Sequence, residues 1–470
     1  MKETVMQGKP YAGNPHVRFD EGAGAPTRSG RSALLYTTGK ALNGKPYAGN
    51  PHVRFDEGEV ASAATPRRGS LLYKANKLIT LAAVAASAAI PLAANADTVT
   101  TNGFTWIYSV NNAANKTVTL GDTTGNTSSL GVAIGTYNDV AITADDIPWT
   151  FIDPTSGSQY TVTELAGYAV RNCRKMTGVL KIPASITKIG TFAFQSCNSL
   201  TGTLVIPDAV NCSISERGSF WACSSVTAII MGSGVVSLGQ QTFCSCSKAT
   251  GAWIKGRPTA TSGTQAVTTI NQNGLFSGAS SLKVCLLGRN TKFGAYNATG
   301  MFPNVTGCTM FYPASAADGV TLNANSVKLL CYGPGQDLDI EINDGLNVLA
   351  ATPTTVDMLT NVLAQASTFK SAFGLDTHIS VTNTLDLTGV TIDPTAVSGV
   401  TFDRLMFVAK TQTQLNAILG AFPATTPISI DPTGLTENMV IPETYNNVHV
   451  KTVPGVTIKR TTKGFMIIVK

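Results

Sequence analysis

Two consecutive stretches share one order of apolar and polar positions. Val162–Ser185 reads VTELAGYAVRNCRKMTGVLKIPAS, and Ile186–Ala209 reads ITKIGTFAFQSCNSLTGTLVIPDA. Ala169-Val170 aligns with Ala193-Phe194, Cys173 with Cys197, and Leu180-Lys181-Ile182-Pro183 with Leu204-Val205-Ile206-Pro207. A self-match at this period predicts stacked units, each too small to bury its own apolar face. Following the core position onward gives Val170, Phe194, Phe220, Phe243, Phe276 and Phe302, at spacings of 24, 26, 23, 33 and 26 residues. The one long step contains a polar loop, PTATSGTQA, over 258–266.

Cysteine follows each of the first four core positions by three residues: Cys173, Cys197, Cys223 and Cys246. Repeats five and six carry Ala279 and Val305 there. Two readings stand side by side. Disulfides are permitted in an exported protein, but inward-pointing cysteines stacked one strand apart act as small apolar filler. The second is favoured, with a ladder of free thiols. The strands carry a further expectation. If Leu180, Leu204, Ile229, Cys285 and Met310 point inward, their neighbours Lys181, Val205, Ile230, Leu286 and Phe311 point out, with Trp253 as the fourth repeat's counterpart. The outer face then grows more apolar toward its end. Either Val205, Ile230, Trp253, Leu286 and Phe311 form an exposed binding stripe, or the chain after residue 316 folds back and covers it. A one-residue slip in register would abolish the stripe.

The flanks read differently. Gly103–Tyr108 alternates like a half-buried strand, Asn111–Asn115 is a polar turn, and Thr117–Leu120 returns. Val140–Thr143 and Trp149–Ile152 are further short strands, so 97–160 is expected to be a β-cap over the first coil, with Trp106 and Trp149 used for capping rather than for stacking on sugar. Beyond 316 two helical patterns enter. Thr354–Phe373 places Val356, Leu359, Val362 and Leu363 on one face, and Thr411–Phe422 repeats the arrangement with Leu415, Ile418 and Leu419. Each follows an apolar run (Leu346–Ala350, Leu405–Ala409) and precedes a strand (Ile379–Val381, Ile428–Ile430), which predicts a weak strand–helix–strand duplication. Val456–Lys459 and Phe465–Val469 predict a closing hairpin.

Composition changes the picture mainly at the N-terminus. Of 34 Lys+Arg and 28 Asp+Glu, 12 and 6 precede Asp97, so the formal charge of +6 belongs to the leader and the rest is neutral. Nucleic-acid binding, which needs clustered Lys and Arg, is not expected. GKPYAGNPHVRFDEG occurs unchanged at 8–22 and 44–58. Packing tolerates substitution, so identity of this kind points to recent duplication of DNA; residues 1–73 read as a disordered leader lying upstream of the true start. Residues 74–96 read as a signal peptide. Lys74 and Lys77 precede the apolar run Leu78–Leu92, and Ala94-Asn95-Ala96 ends it with an A-x-A cleavage site. The run is shorter than the ~20 residues that span a membrane, and no membrane span is expected in the mature chain.

The phrases KIGTFAFQSC, GSFWAC and SLGQQTFCSC, with Ile-Pro ending two strands, resemble the BspA-like class of bacterial leucine-rich repeats. The resemblance covers 161–315, about a third of the chain. It implies a secreted or surface protein that binds and adheres without catalysis. The fold class expected is mainly β: a leucine-rich-repeat solenoid of short parallel strands, an N-terminal β-cap, and a C-terminal α/β region over 316–470.

Catalytic motifs are sparse. After Ala96 there are two histidines, His378 and His449, in unrelated contexts, which disfavours His-dependent nucleophiles and histidine zinc sites. Cys244-Ser245-Cys246 lacks a second half-site for zinc. Asp337, Asp339, Glu341 and Asn343 share one face of a strand, but oxygens along a straight strand do not converge on calcium. No catalytic residue, metal or cofactor is assigned. The expected partner is an extracellular protein or glycan; the alternatives are an extracellular polysaccharide-active enzyme on a β-solenoid and a structural envelope component. Paired carboxylates for glycoside cleavage are not excluded by sequence.

Overall fold

The computed structural model describes residues 97–469, apart from 122–140, 209–211, 215–216, 258–266, 295–299, 318–321, 323–325, 384 and 399–403. The duplicated leader and the expected cleavage site at Ala94 and Ala96 lie outside the described residues. Each coil of the array makes two short strands and one turn. Lys188–Ile189, Cys212–Ile214, Val235–Leu238, Thr268–Ile270 and Thr291–Phe293 pair in parallel in a first sheet. Gly202–Ile206, Val226–Met231, Gly251–Ile254, Val284–Leu287, Thr306–Pro313 and Ser326–Tyr332 pair in parallel in a second. Apolar residues alternate along these strands, so each sheet sends one set of side chains into a shared core.

Between the sheets the turns stack as a third backbone ladder. Tyr168 N–H donates to the Thr191 carbonyl (2.7 Å), Phe192 to Arg217 (3.0 Å), Gly218 to Gln240 (3.0 Å) and Gln241 to Asn273 (2.9 Å). Each turn holds two left-handed residues four apart: Tyr168 and Asn172, Phe192 and Ser196, Gly218 and Ala222, Gln241 and Ser245, Gly274 and Gly278. With every turn bonded to the next, three sides of the solenoid are hydrogen-bonded continuously, and the array is rigid along its axis.

The core positions form a column. Phe194, Phe220, Phe243, Phe276 and Phe302 are fully buried and stack face to face, with ring centroids 5.3, 5.9, 5.5 and 5.5 Å apart. Val170 heads the column, also fully buried. Cys173, Cys197, Cys223 and Cys246 lie beside it, and all nine cysteines of the chain are free thiols. They do more than fill space. The Cys197 thiol donates to the Val170 carbonyl (3.1 Å), Cys223 to Phe194 (3.2 Å) and Cys246 to Phe220 (3.4 Å), so each ties one coil to the one before. Burial pushes the Cys173 and Cys223 thiols up to about 12 and holds Cys197 and Cys246 well above the usual thiol range. Thiolate is the reactive form. The native protein at pH 8 is therefore expected to leave its eight buried cysteines unmodified by iodoacetamide, with half-buried Cys331 the first to react; mass spectrometry after brief labelling reads this directly.

The N-terminal cap grows out of the first sheet. Asp97–Thr101, Phe104–Asn112 and Thr117–Leu120 pair antiparallel, and the last of these pairs in parallel with Gln159–Leu165, the first strand of the array side. Trp106 is fully buried, and half-buried Trp149 packs against the solenoid core. Thr150–Ile152 is a strand, but Val140–Thr143 is not: Val140 lies outside the described residues, and Thr143 makes one isolated bridge, to Thr177. Tyr108 donates to the Asp153 carboxylate, and with the bonds from Ser156 this holds Asp153 down at about 2.

The C-terminal region is a separate α/β layer. Leu338–Asn343, Val348–Pro353, Asp376–Val381, Leu405–Val408, Ile428–Asp431 and Val448–Val450 form one sheet, parallel except for its first pair. Helix α1 (Val356–Phe373) and helix α2 (Gln412–Ala421) each follow a strand and precede another, as a duplicated strand–helix–strand unit. Both have threonine N-caps: Thr355 accepts from the Met358 N–H and Thr411 from the Gln414 N–H. Val456–Thr461 and Gly464–Val469 make the closing hairpin, joined by Met439–Pro442.

Candidate binding surfaces

The outward column of the second sheet is in the register expected from the strand alternation. Lys181 stands beside Val205, Val205 beside Ile230, Ile230 beside Trp253, Trp253 beside Leu286, and Leu286 beside Phe311. Its role is different from a ligand-facing stripe. Helix α1 packs across this face, placing Phe373 against Trp253 (centroids 5.9 Å apart) and Phe369 against Phe311 (5.5 Å). Leu286 and Phe311 are fully buried and Trp253 is 4% exposed. Gly251 lets the helix come this close, since a Cβ there would stand 2.7 Å from that of Ala372. Trp253, Leu286 and Phe311 are thus withdrawn as ligand contacts: the chain's own C-terminal region occupies them, for the same gain in buried apolar area that a partner would have supplied. Ile230, half-buried, packs at the edge of the same cluster, and Val205 remains exposed.

A cleft of about 870 Å³ opens where the β-hairpin of residues 338–353 meets the end of the second sheet, lined by Trp253, Lys255, Arg289, Tyr332, Glu341 and Asp344 among others. Its charges are engaged with each other. The Lys255 ammonium lies 3.0 Å from Asp208 and 2.8 Å from Asp344, and Arg289 lies 2.6 Å from Asp339. Although burial opposes it, Asp208 is held below the usual carboxylate range by bonds from Ser233 and Lys255. The Lys255–Asp344 and Arg289–Asp339 pairs join the C-terminal layer to the array. The acidic strand expected to be merely amphipathic behaves that way: Leu338 and Ile340 are buried, while Asp339 pairs with Arg289 and Asp337 accepts from the Thr354 hydroxyl. Among the described residues no group of His, Cys, Asp and Glu is placed to hold a metal ion.

The turn ladder presents the remaining array surface, and here a row of aromatic rings crosses the first three coils. Tyr168 and Phe192 have ring centroids 5.6 Å apart, and Phe192 and Trp221 are 5.8 Å apart. All three are half-buried, with one side against the solenoid. Arg171 lies over Tyr168 (5.1 Å), and Arg217 over both Phe192 and Trp221 (5.9 Å each). Arg217 also donates to the Gln241 amide oxygen (2.6 Å), which carries the row to the fourth coil. Gly218 makes the row possible: a Cβ there would stand 2.4 Å from the Phe192 ring.

The fold is a parallel-strand repeat solenoid, and its repeats identify the class. Residues 163–296 match the BspA type leucine rich repeat region in six copies. The array over those residues is of that type. No curated protein sequence matches the chain. Two solved structures are similar to it. One is a leucine rich cell surface protein from Faecalibacterium prausnitzii A2-165, at 14% identity over 76% of this chain and 95% of that one, with a TM-score of 0.21. The other is a leucine-rich repeat protein from Bacteroides ovatus ATCC 8483, at 12% identity over 76% and 89%, with a TM-score of 0.14. At such values neither speaks to ligand or mechanism. Among the described residues no helix is long and apolar enough to cross a membrane.

Proposed function

We propose that the chain is an exported bacterial binding module that holds an extracellular protein or glycan without transforming it. Cleavage after Ala96 would leave residues 97–470 as the mature protein, secreted or at the cell surface. The observation that carries the reading is the stacked turn ladder, whose backbone is fixed by inter-coil hydrogen bonds and whose outward side chains form a continuous aromatic and polar row. Such a surface loses little entropy on binding, because its backbone is already ordered. A screen of the secreted chain against immobilised glycans and host extracellular proteins tests it. A saturable partner is expected, and binding to none would remove the reading.

The cleft favours a second reading, that of a polysaccharide-cleaving enzyme, since carboxylates gather there. The cleft is lined by Glu341 and Asp344, and Asp344 is taken up by Lys255 at 2.8 Å. Incubation with each bound glycan should release no reducing ends. Release that disappears in Glu341→Gln and Asp344→Asn would establish the enzyme.

A further inference from the structure

Tyr168 and Phe192 sit in the left-handed region, at φ +63° and +53°, where the third and fifth coils carry Gly218 (φ +62°) and Gly274 (φ +59°) and the fourth carries the unbranched Gln241 (φ +55°). A bulky side chain is disfavoured in that conformation, at a cost of about 1–2 kcal/mol. The rings are therefore not what the turn itself selects. Nor are they what the core selects, since Val170 and Phe194 fill it from two residues further on. Three half-buried rings in a row, with arginines lying over them, need another physical reason.

Charge supplies one. From Leu165 to Pro207 the chain carries Arg171, Arg174, Lys175, Lys181 and Lys188 and no acidic residue. Lys181 is paired with Asp145 of the cap, at 3.6 Å. Glu164 stands beside Lys188 in the first sheet, so the basic character of this segment comes from Arg171, Arg174 and Lys175 on and next to the turn face. Arg171 and Arg217, lying over the rings, hold planar donors beside apolar faces. A pyranose ring has a face of C–H groups that lies against an aromatic plane, and a rim of hydroxyls that amides and guanidinium groups can bond. Where the sugar also bears carboxylate or sulfate, arginine pairs with it in two-point fashion. An acidic peptide would satisfy the arginines but offers no repeating apolar face to successive rings.

Resting on the binding reading above, we propose that the turn face of the first four coils binds an anionic polysaccharide, with Tyr168, Phe192 and Trp221 stacking on successive sugar rings, Arg171 and Arg217 pairing with carboxylate or sulfate groups, and Gln241 bonding hydroxyls. The ligand lies along the axis, one sugar face over each ring. The surface is open, so the chain is bound in its middle and need not present an end.

Full-length protein is titrated with two matched pairs of polymers: polygalacturonate against its methyl ester, and carboxymethylcellulose against hydroxyethylcellulose, with poly-L-glutamate as an anion lacking sugar rings. Binding of at least one charged glycan is expected, about tenfold or more tighter than its neutral partner and than poly-L-glutamate, and weakening as salt rises. Trp221→Ala should weaken it about tenfold, and Arg217→Gln should remove most of the preference for charge. Circular dichroism and thermal melting of each variant exclude a loss through unfolding. Equal affinity for poly-L-glutamate would assign the face to acidic peptides and overturn the proposal. Equal affinity for the neutral partners, or no binding, or binding indifferent to Trp221→Ala and Arg217→Gln, would also overturn it. A neutral glycan or a protein recovered in the broader screen would, in those cases, leave the binding-module reading standing alone.

Discussion

Phe220→Ala is expected to destabilise the array by about 3–5 kcal/mol. Phe220 is fully buried in the middle of the phenylalanine column, stacked 5.3 Å from Phe194 on one side and 5.9 Å from Phe243 on the other. Its removal leaves a cavity between two rings whose backbones are fixed by the turn ladder, with the Cys223 thiol also holding the Phe194 carbonyl. Those constraints prevent the neighbours from collapsing into the space, which keeps the cost near the upper end of its class. A domain's whole stability is about 5–15 kcal/mol. In a solenoid each coil leans on its neighbours, so the loss should broaden the urea transition as well as shift it. Phe220→Leu, which keeps an apolar side chain where Val170 shows an aliphatic one is accepted, should cost less than about 1.5 kcal/mol. Equilibrium denaturation of the three proteins decides it.

The second large effect lies at the covered face of the second sheet. Phe311→Ala is expected to cost about 3–5 kcal/mol, because the ring is fully buried between the array and helix α1. Phe369→Ala should cost a similar amount from the other side. The two rings meet at 5.5 Å with their planes inclined by 57°, an arrangement whose pair term is about 0.5–1.5 kcal/mol. A double-mutant cycle should therefore return coupling in that range. Zero coupling would mean the helix does not rest on this face in solution. The interface is also pinned at its rim by the Lys255 and Arg289 ion pairs, which are partly exposed and contribute modestly.

The fate of this face shows how far the sequence could be read. The column from Lys181 through Val205, Ile230, Trp253 and Leu286 to Phe311 was legible because strands have a period of two, given that Leu180, Leu204, Ile229, Cys285 and Met310 point inward. What covers the column was not legible. The first half of α1 announces an apolar face with Val356, Leu359, Val362 and Leu363, and these join the one cluster that the array's outward column shares with the C-terminal layer. Phe369 and Phe373 lie one turn apart further along, and nothing local tells a helix which of two layers its last aromatic residues will meet. Both helices were visible by period and by their threonine caps. The strand Asp97–Thr101 was not, since DTVTT carries a single large apolar residue, and pairing with Phe104–Asn112 alone makes it a strand.

The aromatic row on the turn face was missed for a different reason. Tyr168 and Phe192 precede their core residues by two positions, whereas Trp221 follows its own by one. Aligned by repeat, the three occupy two different columns and no periodicity links them. They meet because Gly218 vacates the space where the third coil's aromatic residue would have stood, and the Trp221 ring reaches the row from the next position. A glycine where earlier repeats carry rings, followed three residues later by tryptophan, was the available signal. The cysteine ladder illustrates a similar limit. Its burial followed from spacing, but the thiol-to-carbonyl bonds between coils depend on a turn geometry that spacing does not specify.

The central claim is that this solenoid gives one apolar face to its own C-terminal region and keeps its turn face for the ligand. The most direct test is the affinity of full-length protein for the tightest partner found, measured for Trp221→Ala and Trp253→Ala at a temperature where both are folded. The account predicts that Trp221→Ala loses about tenfold or more in affinity with little change in melting temperature, while Trp253→Ala lowers the melting temperature and leaves affinity unchanged. Loss of binding in Trp253→Ala with Trp221→Ala unaffected would contradict it.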